Sequence, residues 1–191
     1  MLQAPYMFMI GSSGRNSGKT EFACSLIGKF CAGHKVVGVK VTTIQERDGL
    51  CPRGGEGCRI CSSLEGDYHI TEESEANGAK DTHRLLAAGA HNVYWLRVLR
   101  DRLEDGAAAL LRIVGEDARV VCESNSLRAV VEPGLFFMVH HRDRGESKGS
   151  AKAVAPYVDV HVVYDGVGFN VDLNDIEVVD GKWAYGYPDK T

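Results

Sequence analysis

The stretch Gly11–Thr20, GSSGRNSGKT, carries the residue types and order that hold a phosphate. Its last three residues, Gly18, Lys19 and Thr20, fit the end of the pattern G-x-x-x-x-G-K-[ST]. The first position falls on Ser13, with Gly11 and Gly14 on either side. Backbone N–H groups of Gly14, Arg15, Asn16, Ser17, Gly18, Lys19 and Thr20 can wrap an anion at a helix N-terminus, where the dipole favours negative charge. Lys19 can reach the outer phosphates of a nucleotide, and the Thr20 hydroxyl can hold Mg2+. The alternative is a Gly/Ser turn with an exposed lysine. The apolar run YMFMI before it and the helical pattern EFACSLIGKF after it favour the phosphate loop. Such a site needs a carboxylate at the end of a second buried strand. Glu123, after RVVC, is preferred to Asp165, after HVVY, because the polar loop SNS follows it. The expected catalytic set is therefore Lys19, Thr20 and Glu123.

A second chemistry is written in CPRGGEGCRIC, where Cys51, Cys58 and Cys61 form C-x6-C-x2-C. The C-x2-C spacing lets a tight turn bring two thiolates to one ion. Gly54, Gly55 and Gly57 let the backbone fold around a centre, and Arg53 and Arg59 offset thiolate charge. The expectation is a zinc ion or an iron–sulfur cluster on Cys51, Cys58 and Cys61. Fourth ligands to consider are His69, Cys122, water, substrate or a cysteine of a second subunit. The alternative is a loop of reduced cysteines or a redox-sensitive pair. In HHRDRGESK, Arg142 and Arg144 can contact an anion and His140 and His141 a metal, against the plainer reading of a solvated charged loop. The aromatic pair Tyr94–Trp95 reads as core rather than as a stacking platform.

These residues need a scaffold, and apolar runs alternate with helical patterns along the chain. YMFMI, KVVGVKVTT, NVYWLRV, ARVVCE, GLFFMVHH and VDVHVVYD read as strands. Helices are expected over Glu21–Phe30, ended by Gly33, and over Asp81–Ala90, capped by Asp81 or Thr82. Others follow over Leu103–Val114 and, briefly, Ala151–Ala155 before Pro156. From about 45 to 78 the periodicity disappears, and a stretch of that length suits a functional excursion. DIEVVDGKWAYG has a DG turn between short β-like runs and reads as a C-terminal hairpin. The expected fold is one α/β domain over residues 1–191, a three-layer P-loop NTPase-type sandwich with a mostly parallel sheet. Gly11–Thr20, Glu123, His140–Arg144 and Asp165 would lie at the C-terminal ends of its strands, where such sheets bind ligands.

The totals agree with this reading. The chain has 191 residues, 44% hydrophobic and 25% charged, which suits one domain with a full core. A net charge of -4 speaks against nucleic acid or an anionic membrane as partner. The run Tyr6–Ile10 is too short to span a bilayer and lacks the features of a secretory signal, so a cytoplasmic protein is expected.

GAKDTHRLLAAGA, together with GRNSGKT and VVGVKVTT, resembles the molybdopterin-guanine dinucleotide biosynthesis protein B (MobB) family. Lys80, Asp81, Thr82, Arg84, Ala88, Gly89 and Ala90 match its motif, and the order of loop, helix, strand, excursion and helix matches too. The likeness spans roughly residues 6 to 90. It departs where VTTIQ follows Lys40 and where Glu123 begins ESNSL. The resemblance implies a small P-loop protein of molybdenum cofactor biosynthesis that binds GTP with Mg2+, hydrolyses it slowly and assists a guanylyltransferase, as a homodimer. On the matching helix, Lys80 and Arg84 can bind phosphate, and Asp81 or Thr82 can touch a ligand or Mg2+. ATP in place of GTP stays open. So do a metal-trafficking NTPase that serves a metalloenzyme partner, a small-molecule kinase and a cofactor-assembly adapter.

Overall fold

The computed structural model describes residues 1–44, 64, 66–143 and 149–186. The first strand, β1 (Leu2–Ser12), is buried without interruption from Tyr6 onward, as a strand covered on both faces must be. The helix α1 (Lys19–Phe30) follows, then β2 (Val36–Ile44), β3 (Tyr68–Glu72), α2 (Asp81–Ala87), β4 (Asn92–Leu99) and α3 (Leu103–Val114). The chain continues through β5 (Arg119–Glu123), β6 (Val131–His141), the single turn α4 (Gly149–Lys152) and β7 (Val160–Tyr164). It closes with β8 (Ile176–Val179) and β9 (Lys182–Tyr185).

Seven strands form one sheet in the order β3-β4-β2-β5-β1-β6-β7. Every neighbouring pair is parallel except β3 with β4. On one face α3 buries Leu103, Ala107, Leu110 and Val114 against Met7, Met9, Val39 and Leu96. On the other, α1 buries Phe22, Leu26, Ile27 and Phe30 and α2 buries Leu85 against Phe8, Ile10, Val121 and Phe137. Each of these side chains larger than alanine contributes about 1.5–3 kcal/mol when fully removed from water. None of the helices among the described residues is long and apolar enough to cross a membrane.

The C-terminal hairpin β8–β9 pairs antiparallel, with Val179 opposite Lys182. Asp180 and Gly181 make its turn with φ of 48° and 76°. Positive φ at both central residues is what a two-residue turn of this twist requires, and the DG pair supplies it. The hairpin lies on the α1 face. Trp183 is buried there and donates from Nε1 to the Tyr6 carbonyl at 2.9 Å.

Two expectations need correction. The stretch from 45 to 78 is not without regular structure, because β3 lies within it. Five residues, none of them fully buried, are too few for alternation to stand out; their strand character comes from pairing with β4. The helix read as Asp81–Ala90 stops at Ala87, and Gly89 turns the chain with φ 101°.

Candidate functional site

Three adjacent strands set the site. In register, Ile10 of β1 stands beside Glu123 of β5, and Glu123 beside Lys40 of β2. The loop 13–18 leaves β1 just past this row and enters α1.

The base of that loop is clamped. Asn125 accepts from the Ser12 N–H at 2.7 Å through Oδ1 and donates to the Ser12 carbonyl at 2.9 Å through Nδ2. The Ser13 N–H donates to the Val139 carbonyl at 3.0 Å. Beyond Ser13 the pattern changes. The N–H groups of Gly14, Asn16, Ser17, Gly18, Lys19 and Thr20 donate to no acceptor among the described residues. The Ser17 Oγ is buried and also lacks a partner there. Asn16 (φ 52°) and Gly18 (φ 87°) have left-handed backbone that curls the loop. At Gly18 a Cβ would stand 2.5 Å from the Tyr164 ring, so only glycine fits. Buried polar groups are normally satisfied, and a run of free donors at a helix N-terminus suits an anion.

Lys40 is the centre of the charged cluster. Its Nζ donates to Glu123 Oε2 at 2.8 Å and, at closer range, to Asp81 Oδ2. Thr20 donates its hydroxyl to Asp81 Oδ1 at 3.3 Å. Burial alone would depress Lys40; the Glu123 and Asp81 carboxylates overcome it and raise its pKa. Burial would raise Asp81, and Lys40 beside it holds the carboxyl below its ordinary value instead. Lys19 goes the other way. Its desolvation outweighs the pull of Glu123, and Lys40 adds repulsion, so its pKa falls. An anion at the loop would relieve that.

Glu123 is fully buried and its Oε1 has no hydrogen-bond partner among the described residues. A second acceptor without a donor, one carboxylate away from the Thr20 hydroxyl, fits a hard cation that takes oxygen ligands. Thr20, Asp81 and Glu123 are the residues that would hold Mg2+, with waters and phosphate oxygens completing the shell. Among the described residues no three His, Cys, Asp or Glu side chains converge on a metal position, so this site would draw on a hydroxyl, water and phosphate oxygens besides its two carboxylates.

A cleft of about 690 Å3 runs along the loop, lined by Gly14–Thr20, Lys40, Asp81, Arg84 and Tyr164 among others. Of the residues expected at the site, Gly14 to Thr20, Asp81 and Arg84 meet here. Arg84 also pairs with Glu21 at 3.1 Å. Ser13 is buried and does not line the cleft. Glu123 sits behind Lys40. Lys80 and Thr82 line a neighbouring cleft instead. Neither Asp81 nor Thr82 caps α2: Lys80 is the N-cap residue and makes no side-chain cap. Asp81 is drawn to Lys40 and Thr20, and Thr82 donates to Glu73 at 2.7 Å. Charge pairing across elements wins over a local cap.

Asp165, the rival to Glu123, accepts from the Val167 and Gly168 N–H groups at 2.9 Å each and shapes its own turn. It lies outside the cleft, 3.7 Å from Arg142. His140 Nε2 and His161 Nδ1 share a hydrogen bond of 2.8 Å on β6 and β7, and His141 accepts from the Asp143 N–H. Arg144 and the cysteines Cys51, Cys58 and Cys61 lie outside the described residues. Of the fourth ligands considered for that centre, His69 is on β3 and Cys122 is buried in β5. Burial raises the Cys122 thiol and pushes Cys24 up to about 11, so neither is a ready thiolate.

Lys40 is the principal site residue that the motif reading did not select. Its signal was available: a lysine inside the β-branched run VVGVKVTT must have partners if the strand is central. Tyr164 and Asn125 carried no such signal. Comparison with known protein families, curated proteins and solved structures returns no match to this chain.

Proposed function

We propose that the chain is a P-loop nucleotide-binding protein that takes GTP or ATP with Mg2+ and turns it over slowly, similar in kind to MobB. The observation that carries this reading is the set of N–H groups of Gly14, Asn16, Ser17, Gly18, Lys19 and Thr20, which donate to no acceptor among the described residues, with the Lys19 side chain beside them. In this reading the loop binds the phosphates and Lys19 balances their charge. Arg84 and Tyr164 flank the cleft. Mg2+, when bound, would neutralise charge on the outer phosphates. Thr20, Asp81 and the buried Glu123 would supply oxygen ligands to it.

Calorimetric titration with GTP and with ATP, each with Mg2+, tests the reading. Binding by the wild type, weakened about tenfold or more in Lys19→Ala, is expected, since a charged contact of this kind contributes about 1.5–3 kcal/mol. Absence of binding for both nucleotides would remove it.

A further inference from the structure

We propose that a second small-molecule subsite lies beside the nucleotide cleft, at the C-terminal ends of β2 and β4, and that it takes a planar anion. The inference rests on the nucleotide reading for the identity of its neighbour, but not for its own geometry. Lys40 stands beside Trp95 in register, and Thr42 beside Arg97. On this face α2 covers the inner part of the sheet, with Leu85 packed over Gly38 and Val93. The helix begins only at Asp81, so no helix among the described residues lies above the outer rows.

A cleft of about 360 Å3 occupies that position, lined by Lys40, Thr42, Lys80, Asp81, Thr82 and Trp95. Trp95, expected in the core, is in neither buried cluster and forms part of this lining. Its ring is held in place rather than free: Nε1 donates to Thr42 Oγ1 at 3.0 Å, and the Arg97 guanidinium lies 4.9 Å from the ring centre. A fixed indole at a cleft wall offers a flat π-surface at little entropic cost.

An exposed cation at the rim can pair with an anion. Lys19 and Lys40 stand with Asp81 and Glu123, two cations and two carboxylates, and Lys80 shares its surroundings with the Glu73 carboxylate. Asp81 is committed to Lys40 and Thr20, and Glu73 to Thr82, with His83 Nε2 3.3 Å away. The Lys80 side chain is exposed and forms no hydrogen bond or ion pair with the described residues. The Lys80 ammonium therefore stands in a cleft with an aromatic wall. An aromatic or heteroaromatic carboxylate or phosphate satisfies both features. Lys40, Thr42 and Asp81 line both clefts, so ligands in the two would sit on either side of a shared wall. A nucleotide hydrolase with no second substrate has no use for such a neighbour.

Pyridoxal 5′-phosphate is the probe, a planar anion whose aldehyde condenses with a lysine amine and loses water. Borohydride trapping followed by peptide mass mapping reads the labelled positions. Wild-type protein should be labelled at Lys19 and Lys80 well above the exposed Lys152 and Lys182. A saturating non-hydrolysable GTP or ATP analogue with Mg2+ should suppress Lys19 labelling by about tenfold or more and leave Lys80 within about twofold. Trp95→Ala should cut Lys80 labelling by about fivefold, and Trp95→Phe, which keeps a planar ring, should retain it. Labelling of Lys80 no better than Lys152, equal protection of Lys19 and Lys80, or indifference of Lys80 to both Trp95 variants would overturn the subsite. Loss of Lys19 protection alone, with Lys80 still dependent on Trp95, would instead remove the nucleotide reading and leave the subsite standing.

Discussion

At the scale of single residues, Lys40 decides what the site is before any ligand arrives. Its ammonium lies between the two carboxylates that would hold a divalent cation, and it holds the Asp81 carboxyl below its ordinary value. A dication and Lys40 compete for the same oxygens, so metal binding without nucleotide should be weak. Replacing the cation tests this. Lys40→Met should bind Mn2+ more tightly than the wild type in the absence of nucleotide, by about tenfold or about 1.4 kcal/mol, as read by electron paramagnetic resonance. The same change leaves the fully buried Glu123 without its counter-charge, so the variant should also be less stable. Unchanged or weaker Mn2+ binding in a folded Lys40→Met protein would mean that Lys40 holds the carboxylates in place rather than competing for them.

At the scale of elements, the C-terminal hairpin is a structural cover and the DG turn is what forms it. The pair β8–β9 is too small to stand alone and depends on the sheet beneath. Trp183 fastens it. The indole meets Phe30 edge-on at 4.9 Å and Phe8 at 5.5 Å between ring centres, and its N–H reaches the Tyr6 carbonyl. Trp183→Ala should therefore lower the unfolding free energy by about 3–5 kcal/mol in urea denaturation. Trp183→Phe keeps most of the ring and loses the hydrogen bond, for about 1–2 kcal/mol. A loss under 1 kcal/mol (about one weak hydrogen bond) for Trp183→Ala would mean that the hairpin is not packed as described.

At the scale of the whole molecule, the sheet is most secure where the site is built. The strands β2, β5 and β1 are interior neighbours, with helices on both faces, whereas β3 and β7 form the edges. Amide hydrogen exchange should be slowest in β1 and β5 and fast in β3, since edge strands open at lower cost than the centre. Protection of β3 equal to that of β1 would contradict the edge assignment. This gradient suits the chemistry proposed. Lys40 and Glu123 stand on the rigid interior strands, while the residues that meet a ligand from above, Asp81 and Arg84, come from a short helix.

Much of this architecture was legible in one dimension. Apolar runs mark the six parallel strands, helical spacing marks α1 and α3, and the glycines and Thr20 mark the loop, because each depends on torsions and burial within a few residues. The DG turn belongs to the same class. The site itself was only half legible. Lys19, Thr20 and Glu123 could be named from motif and strand ends, but Lys40 joins Glu123 to Asp81 across separations of 83 and 41 residues. That contact depends on strand order and register, which no local pattern encodes. The same holds for β3, whose five residues become a strand only against β4, and for Trp95, which leaves the core because α2 starts too late to cover it. Sequence alone determined which segments could be strand, helix or phosphate loop. The tertiary structure decided which charges meet, because apposition of distant side chains follows from how strands are ordered in the sheet rather than from the order of residues along the chain.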